Sequence, residues 1–207
     1  ELDPTDPATQ FQMANAQAYI GDFAGAIENY RHCISRQPES HEAFNNLSFA
    51  LRRNSEVLSA IAAARKSLAL FPDFSDALNN LGLALCDARQ YPEAIENFRA
   101  AIEISPDNSE IVNNLGVAVH ANGDLAEAAH ILRRAIAIRP DWPEALVNLG
   151  NVLRSQGKFE AAAAIYRMAH SVDPDNTNAL GNLGLALLNL NNPIEASAVY
   201  TKALSIS

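Results

Sequence analysis

Basic charge is scarce in this chain. Lys and Arg number 15 against 24 Asp and Glu, for a formal net charge of −9. Binding to a nucleic-acid backbone needs a basic face, so that class of partner is disfavoured and a neutral or basic one fits better. Cysteine is limited to Cys33 and Cys86. Two thiols without ligand spacing give neither a zinc set nor the framework of a disulfide-stapled domain, and they point to a reducing, cytoplasmic compartment. No apolar run approaches the roughly 20 residues that cross a bilayer, and the opening Glu1-Leu2-Asp3-Pro4 is unlike a signal peptide. Membrane insertion is therefore not expected. Aromatics make up 7% of the residues, too few for one large aromatic core. The five histidines, His32, His41, His120, His130 and His170, share no recurring position, so neither a metal nor a cofactor is expected.

What the chain has in quantity is small and aliphatic: hydrophobic residues are 48% of it, led by Ala and Leu, which favours many close helix contacts. Their arrangement is periodic. Pro4, Pro38, Pro72, Pro106, Pro140 and Pro174 recur every 34 residues. Counting each unit so that its closing proline is position 32 gives repeats 7–40, 41–74, 75–108, 109–142, 143–176 and 177–207, preceded by a repeat tail at 1–6. Position 8 is small in every unit (Ala14, Ser48, Gly82, Gly116, Gly150, Gly184) and position 20 is always Ala, as needed where two helix backbones cross closely. Position 24 is mostly bulky (Tyr30, Phe98, Leu132, Tyr166, Tyr200), which predicts a second helix wedged between its partner and the next unit. Gly21, Gly123 and Gly157 supply a left-handed residue after the first helix, and Asn191 serves in the same place. The second unit departs from this pattern with Ser55 and Ala64, so its second helix, about Leu58 to Leu70, should be the loosest packed.

The period and the Leu-Gly, Ala, aromatic, Ala, Pro signature resemble the tetratricopeptide repeat family along essentially the whole chain. The resemblance implies an all-α fold: a right-handed superhelix, or α-solenoid, of helix-turn-helix repeats in one array. No segment is left over for a catalytic domain, so no enzymatic activity is expected of this stretch. Both ends look in phase with further repeats, which leaves room for a larger protein and for end-to-end self-association through apolar surfaces.

In the family the first helices line a concave face through positions 2, 5, 6, 9, 12 and 13. Position 6 reads Gln12, Asn46, Asn80, Asn114, Asn148 and Asn182, a ladder of amides. An amide both donates and accepts, so it can pair with the backbone of an extended peptide whatever that peptide's side chains. Helix layers roughly 8–10 Å apart would meet about every third residue of a chain rising about 3.3 Å per residue. The same donors and acceptors could instead tie neighbouring helices together, and both readings stay open. Position 2 carries Glu42, Asp76, Glu110 and Glu144, either groove-facing selectors or first-turn acids answering the helix dipole. Positions 12 and 13 hold Arg52, Arg53, Asp87, His120 and Arg154, a mixed set. Position 25 is Arg31, Arg65, Arg99, Arg133 and Arg167, with Glu28 and Glu96 three residues before two of them, which suggests surface ion pairs within a helix.

Repeats of this family that clamp a C-terminal carboxylate use basic residues at positions 2, 5 and 6, and this chain has none there. The acid at position 2 and asparagine at position 6 instead resemble the repeat domain of O-linked N-acetylglucosamine transferases and their bacterial relatives. That resemblance implies Asn46, Asn80, Asn114, Asn148 and Asn182 as backbone clamps, with Glu42, Asp76, Glu110 and Glu144 as selectors. A second asparagine, frequent at position 9 in that family, occurs here only as Asn15 and Asn151; Phe49, Leu83, Val117 and Leu185 make the other rungs apolar. Two functions follow: the substrate-recruiting region of a larger protein glycosyltransferase, or a non-enzymatic adaptor that joins proteins through the same groove. The partner in either case is a protein or an extended peptide segment.

Overall fold

The computed structural model describes residues 6–206. It is all-α, with twelve helices among the described residues. The repeat tail at 1–6 and the proline at 4 lie almost wholly outside that range. The helices divide into two compact units, one running to Pro106 and the other beginning at Asp107. The first holds α1 (Pro7–Tyr19), α2 (Phe23–Arg36), α3 (His41–Arg53), α4 (Val57–Leu70), α5 (Ser75–Asp87) and α6 (Tyr91–Ile104). The second holds α7 (Ser109–Asn122), α8 (Leu125–Ile138), α9 (Pro143–Ser155), α10 (Phe159–Val172), α11 (Thr177–Asn189) and α12 (Pro193–Ile206).

Within each unit consecutive helices form hairpins, and each odd-numbered helix also packs on the next odd-numbered one. Ser40, Asn108 and Asn176 cap first helices, each accepting from a backbone N–H two or three residues on. Between the two helices of every hairpin sits one residue with positive φ: Gly21, Ser55, Arg89, Gly123, Gly157 and Asn191. Arg89 carries no sequence signal for that conformation.

The core is the contact of position 8 with position 24. A Cβ on Gly82 would lie 2.6 Å from the Phe98 ring, and one on Gly116 2.6 Å from Leu132; Gly150 meets Tyr166 and Gly184 meets Tyr200 in the same way. The bulky residue therefore covers the glycine of its own hairpin, in addition to any contact with the next repeat. In the second repeat the sizes are redistributed: Ser48 and Ala64 are both fully buried. Ser48 thus takes up room that the missing aromatic ring would have filled, although its hydroxyl finds no hydrogen-bond partner there.

Three of the position-25 arginines pair across repeats and not along their own helices. Arg31 reaches Glu56 at 3.7 Å, Arg65 reaches Glu93 at 2.6 Å and Arg167 reaches Glu195 at 2.6 Å, each joining one repeat to the next. Glu28 and Glu96 make no ion pair among the described residues. The reason is reach: the extended guanidinium spans to the following hairpin, where an acid stands at the start of the second helix. Trp142 caps the turn before α9 and holds Arg139 4.5 Å above its ring.

Candidate functional site

Four asparagines in the first unit become a hydrogen-bonded chain across its first helices. Asn80 on α5 donates through Nδ2 to Oδ1 of Asn45 on α3 at 2.8 Å, and Asn45 donates to Asn46 at 3.1 Å. Asn46 donates to Oδ1 of Asn15 on α1 at 3.0 Å, and the Tyr30 hydroxyl reaches the same oxygen at 2.6 Å. Burial pushes the Tyr30 phenol up to about 12, so the hydroxyl remains a donor at any ordinary pH; the Asn46 amide offsets part of that rise.

The second unit repeats the arrangement. Asn148 on α9 donates to Asn113 on α7 at 3.0 Å, and Tyr166 donates to Asn151 at 2.8 Å. The rule is that a position-6 amide gives one N–H to the position-5 amide of the preceding repeat. Those position-5 acceptors, Asn45 and Asn113, are only 6% and 7% exposed, and burial makes their pairing obligatory. Sequence reasoning did not assign them a role. Its available signal was the doublet Asn45-Asn46, Asn79-Asn80, Asn113-Asn114, two amides per repeat in register.

Asn182 breaks the rule. Val147 occupies the position-5 place before it and offers no acceptor, and Asn182 makes no side-chain hydrogen bond among the described residues. Asn80 and Asn148 spend one N–H each on the tether, while nothing among the described residues bonds their carbonyl oxygens. Every one of Asn46, Asn80, Asn114, Asn148 and Asn182 is half-buried on a first helix.

Glu42, Asp76, Glu110 and Glu144 are exposed in the first turns of α3, α5, α7 and α9. Glu42 lies 3.3 Å from His41, and the other three make no ion pair among the described residues. At the opposite ends of α3 and α9 stand arginines. Arg52 pairs with Asp87 at 3.3 Å, Arg53 lies over the Phe23 and Phe49 rings, and the Nε of Arg154 is buried without a hydrogen-bond partner. His120 touches the Ser155 hydroxyl at 3.0 Å; burial and then the Arg154 charge lower its pKa, favouring the neutral ring. The positions 12 and 13 that looked mixed in sequence are therefore partly self-paired.

Among the described residues no group of three or more His, Cys, Asp or Glu side chains could hold a metal, and no helix is long and apolar enough to cross a membrane. Cys33 and Cys86 are unpaired. Burial, then Asp87, pushes the Cys86 thiol up to about 11 against the opposing pull of Arg52, and burial raises Cys33 as well. Neither has the depressed pKa of a nucleophile.

Comparison with known families covers residues 11–207. Profiles of the tetratricopeptide repeat match residues 11–75, 50–109, 79–145 and 114–170, a TPR repeat profile matches 150–191, and a further tetratricopeptide repeat profile matches 177–207. A search of curated proteins finds no match. Among solved structures, MamA is similar at 27% identity over 77% of this chain and 94% of that chain, with a TM-score of 0.69. PilF of Pseudomonas aeruginosa is similar at 19% identity over 93% and 88%, TM-score 0.79. YrrB, described as a TPR protein with an unusual peptide-binding site, is similar at 22% identity over 86% and 92%, TM-score 0.65. The last two likenesses show the fold alone.

Proposed function

The chain belongs to the tetratricopeptide repeat family, and on that premise we propose that the first-helix face of each unit binds an extended polypeptide through its position-6 asparagines. One observation carries the reading. Asn80 and Asn148 are each fixed through a single N–H, which orients the group and leaves its carbonyl oxygen and second N–H for a ligand. An amide already held in place loses little freedom on binding, which is where a weak hydrogen bond gains net worth. A peptide backbone offers the complementary pair at every residue.

The tether also sets the test. Removing Asn80 or Asn148 strands a buried carbonyl on Asn45 or Asn113, at about 1–3 kcal/mol, so those variants lose stability as well as affinity. Asn182 has no tether. With peptides selected from a displayed random library, Asn182→Ala should weaken binding by roughly 2- to 10-fold in calorimetry and leave the melting temperature unchanged. N-methylation of the peptide backbone should weaken binding more than side-chain changes do. Unaltered affinity for Asn182→Ala, together with tolerance of N-methylation, would remove the amides from recognition and leave them as helix ties only.

The finer reading is that this face recruits substrate for a larger protein glycosyltransferase. It rests on the acid-amide pairing of Glu42 with Asn46, Asp76 with Asn80, Glu110 with Asn114 and Glu144 with Asn148, one turn apart on one helix face. Without an attached nucleotide-sugar-binding domain in the intact protein, the same face serves as a non-enzymatic adaptor.

A further inference from the structure

Beside Asn15 in the first unit lies a cleft of about 590 Å³ that the amide chain does not fill. Phe23 and Phe49 form its walls, edge to face with centroids 6.1 Å apart. Arg53 closes one side, its guanidinium carbon 4.9 Å from the Phe23 centroid and 5.9 Å from that of Phe49. On the rim Tyr19 and Ile20 are 92% and 76% exposed, held at the hairpin turn by the left-handed Gly21.

Asn15 and Arg53 meet this cleft as donors. Oδ1 of Asn15 already accepts from both Tyr30 and Asn46, so its two lone pairs are used and Asn15 has only its NH2 left to offer. The Tyr30 hydroxyl proton is spent on that same bond. Arg53 stacks on the rings through its face, and no carboxylate pairs with it among the described residues. An aromatic hollow with an amide donor and a cation on its wall complements an apolar side chain next to a carboxylate.

We propose that this cleft is a side-chain subsite that takes an apolar residue adjacent to Asp or Glu in the bound polypeptide, with Arg53 and the Asn15 amide facing the carboxylate. The inference rests on the peptide-binding reading and adds a sequence preference to it. Arg53 belongs to one repeat alone, so the subsite also fixes the register of a segment that the amide ladder reads without regard to side chains.

The test uses the intact chain and short random peptides displayed for selection. Selected peptides should be enriched in apolar-acidic pairs. Changing the acid of the best peptide to its amide should weaken binding about ten-fold to the unaltered chain and not at all to Arg53→Gln. Selection on Arg53→Glu should replace the acid by Lys or Arg. Arg53 is exposed, and a melting curve unchanged in both variants checks that the fold is kept. Selected peptides that bind, yet show no apolar-acidic enrichment and are indifferent to Arg53→Glu, overturn this subsite alone. A library that yields no binding peptide overturns the peptide-binding reading and the subsite with it.

Discussion

At the scale of single residues, the turn inside each hairpin shows what one side chain can conceal. Arg89 has φ 59° and closes its turn with the same two bonds as the glycine turns: Arg89 N–H to the Cys86 carbonyl and Gln90 N–H to the Leu85 carbonyl. Gly123 and Asp124 bond to His120 and Val119 in the equivalent way. A left-handed conformation costs a residue with a Cβ about 1–2 kcal/mol, whereas glycine returns about 0.5–1 kcal/mol of that as unfolded-state entropy. Arg89→Gly should therefore stabilise by up to about 1 kcal/mol, raising the melting temperature by roughly 2–4 °C for a chain of this size. A lower melting temperature would mean that the Arg89 side chain makes contacts worth more than the strain. Glycine and asparagine announced this turn at four repeats and Ser55 was legible as a departure, but an arginine is held left-handed only by the helices on either side. Nothing local in the sequence reports that.

Between elements, the hairpin interface is a size exchange that a list of small residues does not reveal. Four repeats set a glycine under a large side chain, and the second sets Ser48 beside Ala64. Position 8 and position 24 lie 16 apart in each repeat, so their complementarity becomes visible only once the two helices are known to cross there. The candidate site has the same limit. The asparagines at position 6 were legible because they recur, but their tether to Asn45 and Asn113 depends on which helix lies alongside, and the cleft of Phe23, Phe49 and Arg53 recurs in no other repeat. The size exchange predicts strong coupling. Gly82→Ser should cost about 1–3 kcal/mol by overpacking the Phe98 ring. Phe98→Ala should cost about 3–5 kcal/mol by leaving a cavity. Together they recreate the Ser48 and Ala64 pairing, so the double variant should be less destabilised than the sum by at least about 1 kcal/mol in a urea cycle. Additive costs would show that the two positions do not share space.

Over the whole molecule, α3 and α9 carry the same polarity: an acid in the first turn, an amide in the middle and arginine at the far end. Glu42 stands at the opposite end of α3 from Arg52 and Arg53, and Glu144 at the opposite end of α9 from Arg154. The arrangement suits the helix dipoles and also gives a bound segment a direction. Stability is spread less evenly than this pattern. In helical repeats each element draws its stability from its neighbours, so the buried residues of a helix measure how firmly it is held. α1 buries Ala14 alone and α12 buries Ala196 alone, whereas α5 and α9 bury six residues each and α7 buries seven. Amide hydrogen exchange on the intact chain should be fastest in α1 and α12 and slowest in α7, with α3, α5, α9 and α11, which bury six residues each, close behind. Among second helices α4 should exchange faster than α6, because Ala64 and Ser67 stand where α6 places Phe98 and Ala101 and so bury less apolar surface. Its loss is partly made good by the Ser67 hydroxyl, which bonds the His41 carbonyl at 2.8 Å, so the difference should be modest rather than a local unfolding. Equal protection in α1, α7 and α12 would mean that the chain opens as one cooperative body and that burial in single helices does not set the order.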